Sequence, residues 1–176
     1  MAILDIVTPP DPILRAKARR VRAFTSDLSQ LIENMIETMR AAPGVGLAAP
    51  QVGVSQRVIT VEYAPESDDP EAPPNPPRLY VIVNPEIVRA STEMESGVEA
   101  CLSLPGYAGD VERHSAVTIK GMNRHAQPFR IKAEGWLARI FQHEIDHLNG
   151  VLFIDRAERV WRLEEEQTGE VSAAPE

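Results

Sequence analysis

Residues 142–147, with the sequence Gln-His-Glu-Ile-Asp-His, constrain the fold of this chain more than any other segment. Apolar residues recur around them at helical spacing, which predicts a motif helix over 135–149. These apolar residues are Leu137, Ile140, Phe141, Ile145 and Leu148. A helix with this pattern packs in the core of a domain, so the polar residues within it are expected to be buried as well.

His143 and His147 are one helical turn apart and therefore lie on the same face, where two imidazoles can bind one divalent metal ion. Glu144 is placed to take a proton from a water molecule on that ion. A buried carboxylate is costly without such a water or a cationic partner. The pattern indicates a metal-dependent hydrolase, although a solvated helix with two histidines and two acids would have the same sequence.

A hydrolytic metal ion usually has three protein ligands, so another part of the chain must supply the third. The candidates are a thiolate, two further histidines and a carboxylate: Cys101, His114, His125 and Glu99. His125 falls in a predicted turn and His114 follows a predicted strand beside Arg113, which favours surface positions for both. Cys101 is the preferred candidate because a thiolate binds such ions strongly, although a lone cysteine is more often a small buried apolar residue.

The middle of the chain is predicted to be mainly β-structure. Branched and aromatic residues favour extended conformations in five segments: 57–63, 79–83, 84–94, 116–120 and 128–132. The last two are predicted to form a hairpin around residues 123–125. Residues 64–78, rich in proline and acids, are predicted to form a mobile surface loop.

Helices are predicted on both sides of this region. One begins near Ser26 and ends at Pro43, and an amphipathic helix is predicted over 156–166, before a disordered tail over 167–176. Strands that precede a core helix without βαβ alternation indicate an α+β fold. We therefore predict antiparallel β-sheets around the central metal-binding helix, with one helix in the N-terminal half and one at the C-terminal end. A single catalytic domain is expected over 1–166.

Composition argues against several other classes of protein. No apolar stretch approaches the ~20 residues that span a bilayer, and the first residues lack the pattern of a signal peptide, so a cytoplasmic protein without a membrane partner is expected. A net charge of −8 argues against a nucleic-acid substrate, although the basic residues of 15–22 leave room for a local basic patch. Cys101 is the only cysteine, which excludes an internal disulfide and fits a reducing compartment.

Three separated motifs resemble those of the peptide deformylase family, in the family's order and approximate spacing. The family's Gly-x-Gly-Leu-Ala-Ala-x-Gln is matched at 44–51, and its Gln-His-Glu-x-Asp-His-Leu-x-Gly at 142–150. Its Glu-Gly-Cys-Leu-Ser is matched at 99–103, except that Ala100 replaces the glycine. If the backbone there requires a positive φ, alanine costs roughly 1 kcal/mol; otherwise its methyl group bears on how the substrate peptide binds.

The resemblance implies that Cys101, His143 and His147 bind the metal ion and that Glu144 is the general acid and base. The implied reaction removes the N-formyl group from the N-terminal methionine of newly made proteins and releases formate. The implied partners are N-formyl-methionyl nascent peptides and, with them, the ribosome. The resemblance favours Fe²⁺, with Zn²⁺, Ni²⁺ and Co²⁺ as alternatives, whereas two histidines and one cysteine taken alone suit zinc.

The resemblance also assigns substrate contacts. It implies that the side-chain amide of Gln51 and the backbone N–H of Leu102 hold the oxyanion, whereas the residues alone favour a turn cap for Gln51. It suggests that the main chain at Val45 and Gly46 pairs with an extended peptide. An apolar pocket near the motif helix would take the first side chain, which is methionine in the family.

Two other interpretations stay open at the level of sequence. A zinc protease shares the His-Glu-x-x-His pattern but usually takes its third ligand from a downstream residue. A non-catalytic formyl-peptide-binding relative would keep the fold and lose turnover because of Ala100.

The resemblance further suggests that Glu99 pairs with Arg113 to brace the cysteine loop, the alternative being two surface charges on neighbouring strands.

Overall fold

The computed structural model describes residues 2–163 and 173–175. Within these residues there are three α-helices: α1 (Ser26–Ala41), α2 (Gly135–Leu148) and α3 (Phe153–Arg156). The strands are β1 (Gly46–Ala48), β2 (Val58–Tyr63), β3 (Arg78–Ala90), β4 (Met94–Ala100), β5 (Tyr107–His114), β6 (Ala116–Met122), β7 (Pro128–Glu134), β8 (Arg159–Leu163) and β9 (Ala173–Pro175). None of the described helices has the length and apolar character that crossing a membrane requires.

The strands form two antiparallel sheets. One has the order β1-β2-β3-β6-β7 and the other the order β4-β5-β8-β9, so β1 and β4 are both edge strands. The predicted hairpin is present as β6 and β7. The predicted strand at 79–83 and the part of 84–94 up to Ala90 join into one strand, β3, with an irregularity near Asn84, whereas Met94 already begins β4. The predicted α+β fold with antiparallel sheets is confirmed.

Helix α2 lies between the two sheets. Alternate side chains of β2 point to opposite faces, so Ile59 packs with α2 residues such as Phe141, while Val58 packs with Met35 of α1 on the other face. Helix α2 also contacts β5 of the second sheet. Every residue of α2 from Ala138 to Leu148 is therefore buried, including the polar residues of the motif. The predicted motif helix is confirmed to within one residue at its C-terminal end.

The C-terminal part of the chain differs from the prediction. A helix is present there, α3, but it ends at Arg156, where the predicted helix begins, and the described residues that follow form β8. Trp161 is the one buried side chain of this strand, so no helical stripe of buried residues exists. The open edge of β5 instead offers backbone hydrogen bonds to β8. The predicted helix over 156–166 was wrong for residues 157–163, because a tertiary partner outweighed the local pattern. Residues 164–166 lie outside the described part of the chain.

Two predicted loops have different outcomes. The predicted disordered tail lies outside the described residues, except for 173–175, which pair with β8 as β9, and its disorder stays a prediction. The proline-rich segment 64–77 contains no helix or strand, and most of its side chains are exposed, as a surface loop requires. Its mobility stays a prediction.

Candidate active site

Three donor atoms meet beside the central helix. Cys101 Sγ lies 3.3 Å from His147 Nε2, and the donor atoms of Cys101, His143 and His147 all lie within 4.8 Å of one another. All three residues are buried. Helix α2 supplies both histidines, and the loop after β4 carries the cysteine in from the second sheet. One thiolate and two imidazoles form a donor set that suits zinc and neighbouring divalent ions.

Glu99 orients the ring of His143. Its Oε1 atom lies 2.8 Å from His143 Nδ1, which leaves Nε2 of the ring as the remaining donor. Arg113 donates two hydrogen bonds to Glu99, at 2.9 and 2.8 Å, and both residues are buried. The predicted pairing is therefore confirmed, and the alternative of two surface charges is wrong. Burial alone would raise the pKa of Glu99, but the hydrogen bonds from Arg113 and His143 hold it well below its ordinary value.

Glu144 is 4% exposed, and within the described residues its Oε2 atom has no hydrogen-bond partner. Burial raises the pKa of Glu144 to about 7, against an opposing effect of His143. A carboxyl group with a pKa near neutrality can both accept and return a proton. A general base that binds a water molecule is expected to have such a buried oxygen, without a protein partner, beside the three possible metal ligands.

The pKa values of the two histidines are shifted in opposite directions. Burial, followed by His143 and Arg113, lowers the pKa of His147 well below its ordinary value, so this imidazole stays neutral, as a ligand must be. Burial opposes a charge on His143, but hydrogen bonds to Cys101 and Glu99 raise its pKa to about 10. The Cys101 sulfur and the Glu99 carboxylate, which favour a proton on His143, would equally favour a divalent ion in place of that proton. The residues present fit the metal that the motifs imply.

The position of Gln51 is compatible with both roles considered from the sequence, the turn cap and the contact with the oxyanion. Its Oε1 atom accepts a hydrogen bond from the Ala48 N–H at 3.0 Å, which caps the turn. The same bond directs Nε2 toward Ser103 Oγ at 3.1 Å and Cys101 Sγ at 3.5 Å. The sequence reasoning missed Ser103, although it is the last residue of the second motif. Its hydroxyl group holds the amide that faces the thiolate.

A pocket of about 550 Å³ opens at the donor atoms. Val45 and Gly46 line one side and residues 98–102 the other, while one face of α2 forms a third wall. Val45, Val98 and Trp136 are about half exposed there, which is unusual for large apolar side chains grouped around a cavity. The sequence reasoning did not single out Val98 or Trp136. An exposed apolar residue can be recognised as part of a pocket only once its neighbours in the fold are known.

The two histidines predicted to lie at the surface are not part of the donor group, and Ala100 lies at the edge of the pocket. His125 is exposed and His114 is partly buried with its Nδ1 atom 2.7 Å from the Ser91 carbonyl, and neither joins the donor group. Ala100 is not among the residues with positive φ, so its side chain causes no backbone strain. The methyl group is exposed at the edge of the pocket, which leaves contact with a substrate as its only consequence.

Gly46 permits the close approach of β1 to the Glu144 carboxylate. A Cβ atom at this position would lie 2.5 Å from Glu144 Oε1 and 2.9 Å from Cδ. We expect Gly46→Ala to displace Glu144 and to lower kcat about 100-fold, because a misplacement of about 1 Å costs that much. Steady-state formate release measures the effect. Gly53→Ala is the control for a general loss of stability, because its φ of +82° makes alanine strained there while a Cβ atom meets nothing within 4 Å. Its stability should fall and its kcat should not, so equal losses of kcat in the two variants would contradict this explanation.

The chain matches known proteins over almost its whole length. The family model described as "Polypeptide deformylase" matches residues 3–162. A peptide deformylase of Desulforudis audaxviator is 48% identical over 165 residues, which cover 94% of this chain and 100% of that protein.

Solved structures agree with this relationship. The crystal structure of a peptide deformylase from Legionella pneumophila superposes with a TM-score of 0.78 at 43% identity, covering 89% of this chain and 87% of the other. A peptide deformylase from Synechococcus elongatus, solved in complex with actinonin, gives a TM-score of 0.76 at 43% identity, covering 88% and 79%. With the three motifs meeting at one pocket, these matches show that the chain belongs to the polypeptide deformylase family.

Proposed function

We propose that Cys101, His143 and His147 hold one divalent metal ion and that Glu144 moves the proton in the reaction of this family. The chain is a metal-dependent hydrolase that removes the N-formyl group from newly made proteins. The observation that supports the residue roles is the meeting of three buried donors within 4.8 Å beside a carboxylate oxygen without a partner among the described residues. Family membership removes the zinc-protease alternative. Formate release by the purified protein tests the alternative of a non-catalytic relative.

The reaction requires a proton to leave the attacking water and to reach the departing nitrogen. Cys101, His143 and His147 would hold a divalent ion, which would lower the pKa of a bound water molecule toward neutrality. Glu144 takes the proton as the water oxygen bonds to the formyl carbon. It returns the proton to the peptide nitrogen as the carbon–nitrogen bond breaks, which gives formate and a free amino terminus.

Gln51 and Leu102 are proposed to stabilise the negative charge that forms on the formyl oxygen. The Gln51 amide nitrogen already faces Cys101 at 3.5 Å, and Leu102 directly follows that ligand and lines the pocket. N–H groups that point at a developing oxyanion lower the barrier without having to reorganise. The amide that now bonds to Ser103 would be shared with the substrate.

The peptide is proposed to lie along β1. This strand is the edge of its sheet, and among the described strands it pairs with β2 alone, so the backbone at Val45 and Gly46 borders the pocket with one side open. An extended chain can add to such an edge as a further strand. The methionine side chain would then enter the pocket between Trp136 and Val98, where apolar surface is already exposed.

We propose Fe²⁺ as the physiological ion, on the family resemblance. Protein stripped of metal should be loaded anaerobically with Fe²⁺, Zn²⁺, Ni²⁺ or Co²⁺, and formate release from a formyl-methionyl tripeptide measured per bound ion. We expect one ion per chain and the highest turnover with Fe²⁺. Equal or higher turnover with Zn²⁺ would contradict the choice of iron, and absence of formate with all four ions would contradict the proposed function.

We also propose that the chain meets its substrate at the ribosome, in the cytoplasm. Segment 15–22 carries five exposed basic side chains, and Arg20 borders a depression that Lys120 and Arg130 share. Exposed cations favour phosphate backbones even on a protein with a net charge of −8. Cosedimentation with ribosomes should fall when Arg20 and Arg22 are both changed to Glu; unchanged pelleting would contradict this surface.

A further inference from the structure

Arg139 is an arginine in the wall of the substrate pocket. It lies on α2 one turn before His143 and is 6% exposed. Its Nη1 atom donates to Glu99 Oε2 at 2.7 Å and to the Val111 carbonyl at 2.8 Å. Its Nη2 atom donates to the Glu95 carbonyl at 2.7 Å. One guanidinium group thus ties the helix to both β4 and β5.

The packing around this guanidinium is equally specific. Gly97, in the middle of β4, leaves room for it, because a Cβ atom there would lie 2.8 Å from Arg139 Cζ and 2.9 Å from Nε. On another side the Trp136 ring lies over the group, with its centroid 5.3 Å from Cζ. Arg139 therefore contacts the edge strand and the indole that form two walls of the pocket.

The two arginines on Glu99 have different surroundings. Arg113 holds the carboxylate through two bonds and also reaches Asp146, but it does not line the pocket. Arg139 makes only one bond to Glu99 and directs its other donors to the backbone of β4 and β5. Loss of Arg139 would leave Glu99 held by Arg113 and bonded to His143. The metal ligands would keep their support while the pocket walls would lose theirs.

We propose that Arg139 is a specificity-determining residue, which sets the size of the side-chain pocket by fixing β4 and Trp136 on either side of it. The inference rests on the proposed function, since it assumes that this pocket receives the first side chain of the formyl peptide. It predicts that selectivity and substrate affinity depend on Arg139, whereas the metal site and the chemical step do not.

The test compares Arg139→Met with the unchanged protein on formyl-methionyl and formyl-phenylalanyl tripeptides that are otherwise identical. We expect the preference for methionine, as a ratio of kcat/KM values, to fall about tenfold, which is the scale of discrimination by a well-fitted apolar pocket. For the methionyl peptide KM should rise while kcat changes less than about twofold, because transition-state contacts are retained. Bound metal should stay at one ion per chain.

Gly97→Ala gives a second and independent perturbation. Its added methyl group pushes against the end of a long side chain, so it should displace the guanidinium without removing it and reproduce the loss of preference. Should Arg139→Met fail to fold, this variant decides the question. Arg156→Met is the control, because Arg156 belongs to the same group of ion pairs through Asp146 but does not line the pocket.

The proposal is overturned if folded Arg139→Met, or Gly97→Ala in its place, keeps the methionine preference within twofold. It is also overturned if kcat falls equally with both peptides, which would mean a role in the metal site. Calorimetric binding of the two peptides separates this failure from failure of the proposed function. A protein that releases no formate but binds them with a preference sensitive to Arg139 would contradict only the function.

Discussion

Glu144→Gln should lower kcat by about 10²–10⁴-fold, the usual contribution of a general acid and base. The amide has the same shape as the carboxylate but cannot take a proton from water. Glu144 is not one of the three donors that meet within 4.8 Å, so metal content should stay at one ion per chain. The measurements are formate release under saturating substrate and metal analysis of the same sample.

Stability gives a second readout of this substitution. Burial raises the pKa of Glu144 from 4.5 to about 7, so its anion costs free energy in the folded state above the ordinary pKa. The neutral amide avoids that cost, and metal-free Glu144→Gln should be at least as stable as the unchanged protein at pH 8.

Glu37→Gln is a matched control for this substitution. Glu37 also has a buried carboxylate oxygen without a partner among the described residues, but it lies on α1, away from the pocket. The activity of the Glu37→Gln variant should equal that of the unchanged protein. Retention of more than about a hundredth of the activity by Glu144→Gln would contradict the general-base role.

Arg113→Met should lower the free energy of unfolding by about 3–5 kcal/mol, because it leaves buried carboxylates with too little positive charge. Arg113 is 4% exposed and donates to Glu99 twice and to Asp146 once, at 2.5 Å. Glu99 would keep Arg139 and His143 as partners, but its orientation would be held less firmly. Metal affinity should therefore fall about 10–100-fold, as is usual when support for a ligand is lost.

The effect of Arg113→Met should depend on pH. Glu99 has a folded-state pKa well below its ordinary value of 4.5, so it stabilises the protein above that pH, and the contribution is lost as the pH falls toward the folded pKa. The difference between the variant and the unchanged protein should be complete at pH 7 and smaller at pH 4. Urea unfolding at both values measures it.

Arg156→Met is the control for this second prediction. Arg156 also bonds to Asp146, at 2.6 and 3.0 Å, but its side chain is 49% exposed. An ion pair with one exposed partner contributes about 1 kcal/mol or less. Equal destabilisation by the two substitutions would show that burial of Arg113 does not matter, which is the outcome that contradicts the prediction.

Local patterns predicted the parts of the site that lie within one element. His143, Glu144 and His147 are spaced within a single helix, so the period of 3.6 residues alone brings the two imidazoles together. Cys101 lies far from that helix in sequence and was preferred as the third ligand because of its thiolate chemistry. The resemblance of all three motifs to one family strengthened that choice and was the only reason to place Gln51 at the site. Arg139 was missed, although a charged residue in an apolar helix is itself a signal that a buried partner exists.

The predictions that failed or were incomplete concern partners outside the local segment. Residues 159–163 form β8 because they pair with the open edge of β5. The sequence of these five residues alone does not show that such an edge is available. The same holds for Trp136 and Val98, whose exposure has meaning only beside the pocket.

The sequence was sufficient for the helix, its donor residues, the class of chemistry and the α+β architecture, because these follow from short-range spacing or from ordered motifs. The assembled fold was needed to show that α2 is buried between two sheets, that β1 and β4 both end a sheet at the pocket, and that two arginines share Glu99. The physical reason is the range of the interactions. Residues 142–147 show which donor side chains are available. Their burial, their pKa values and the shape of the pocket depend on side chains from other parts of the chain.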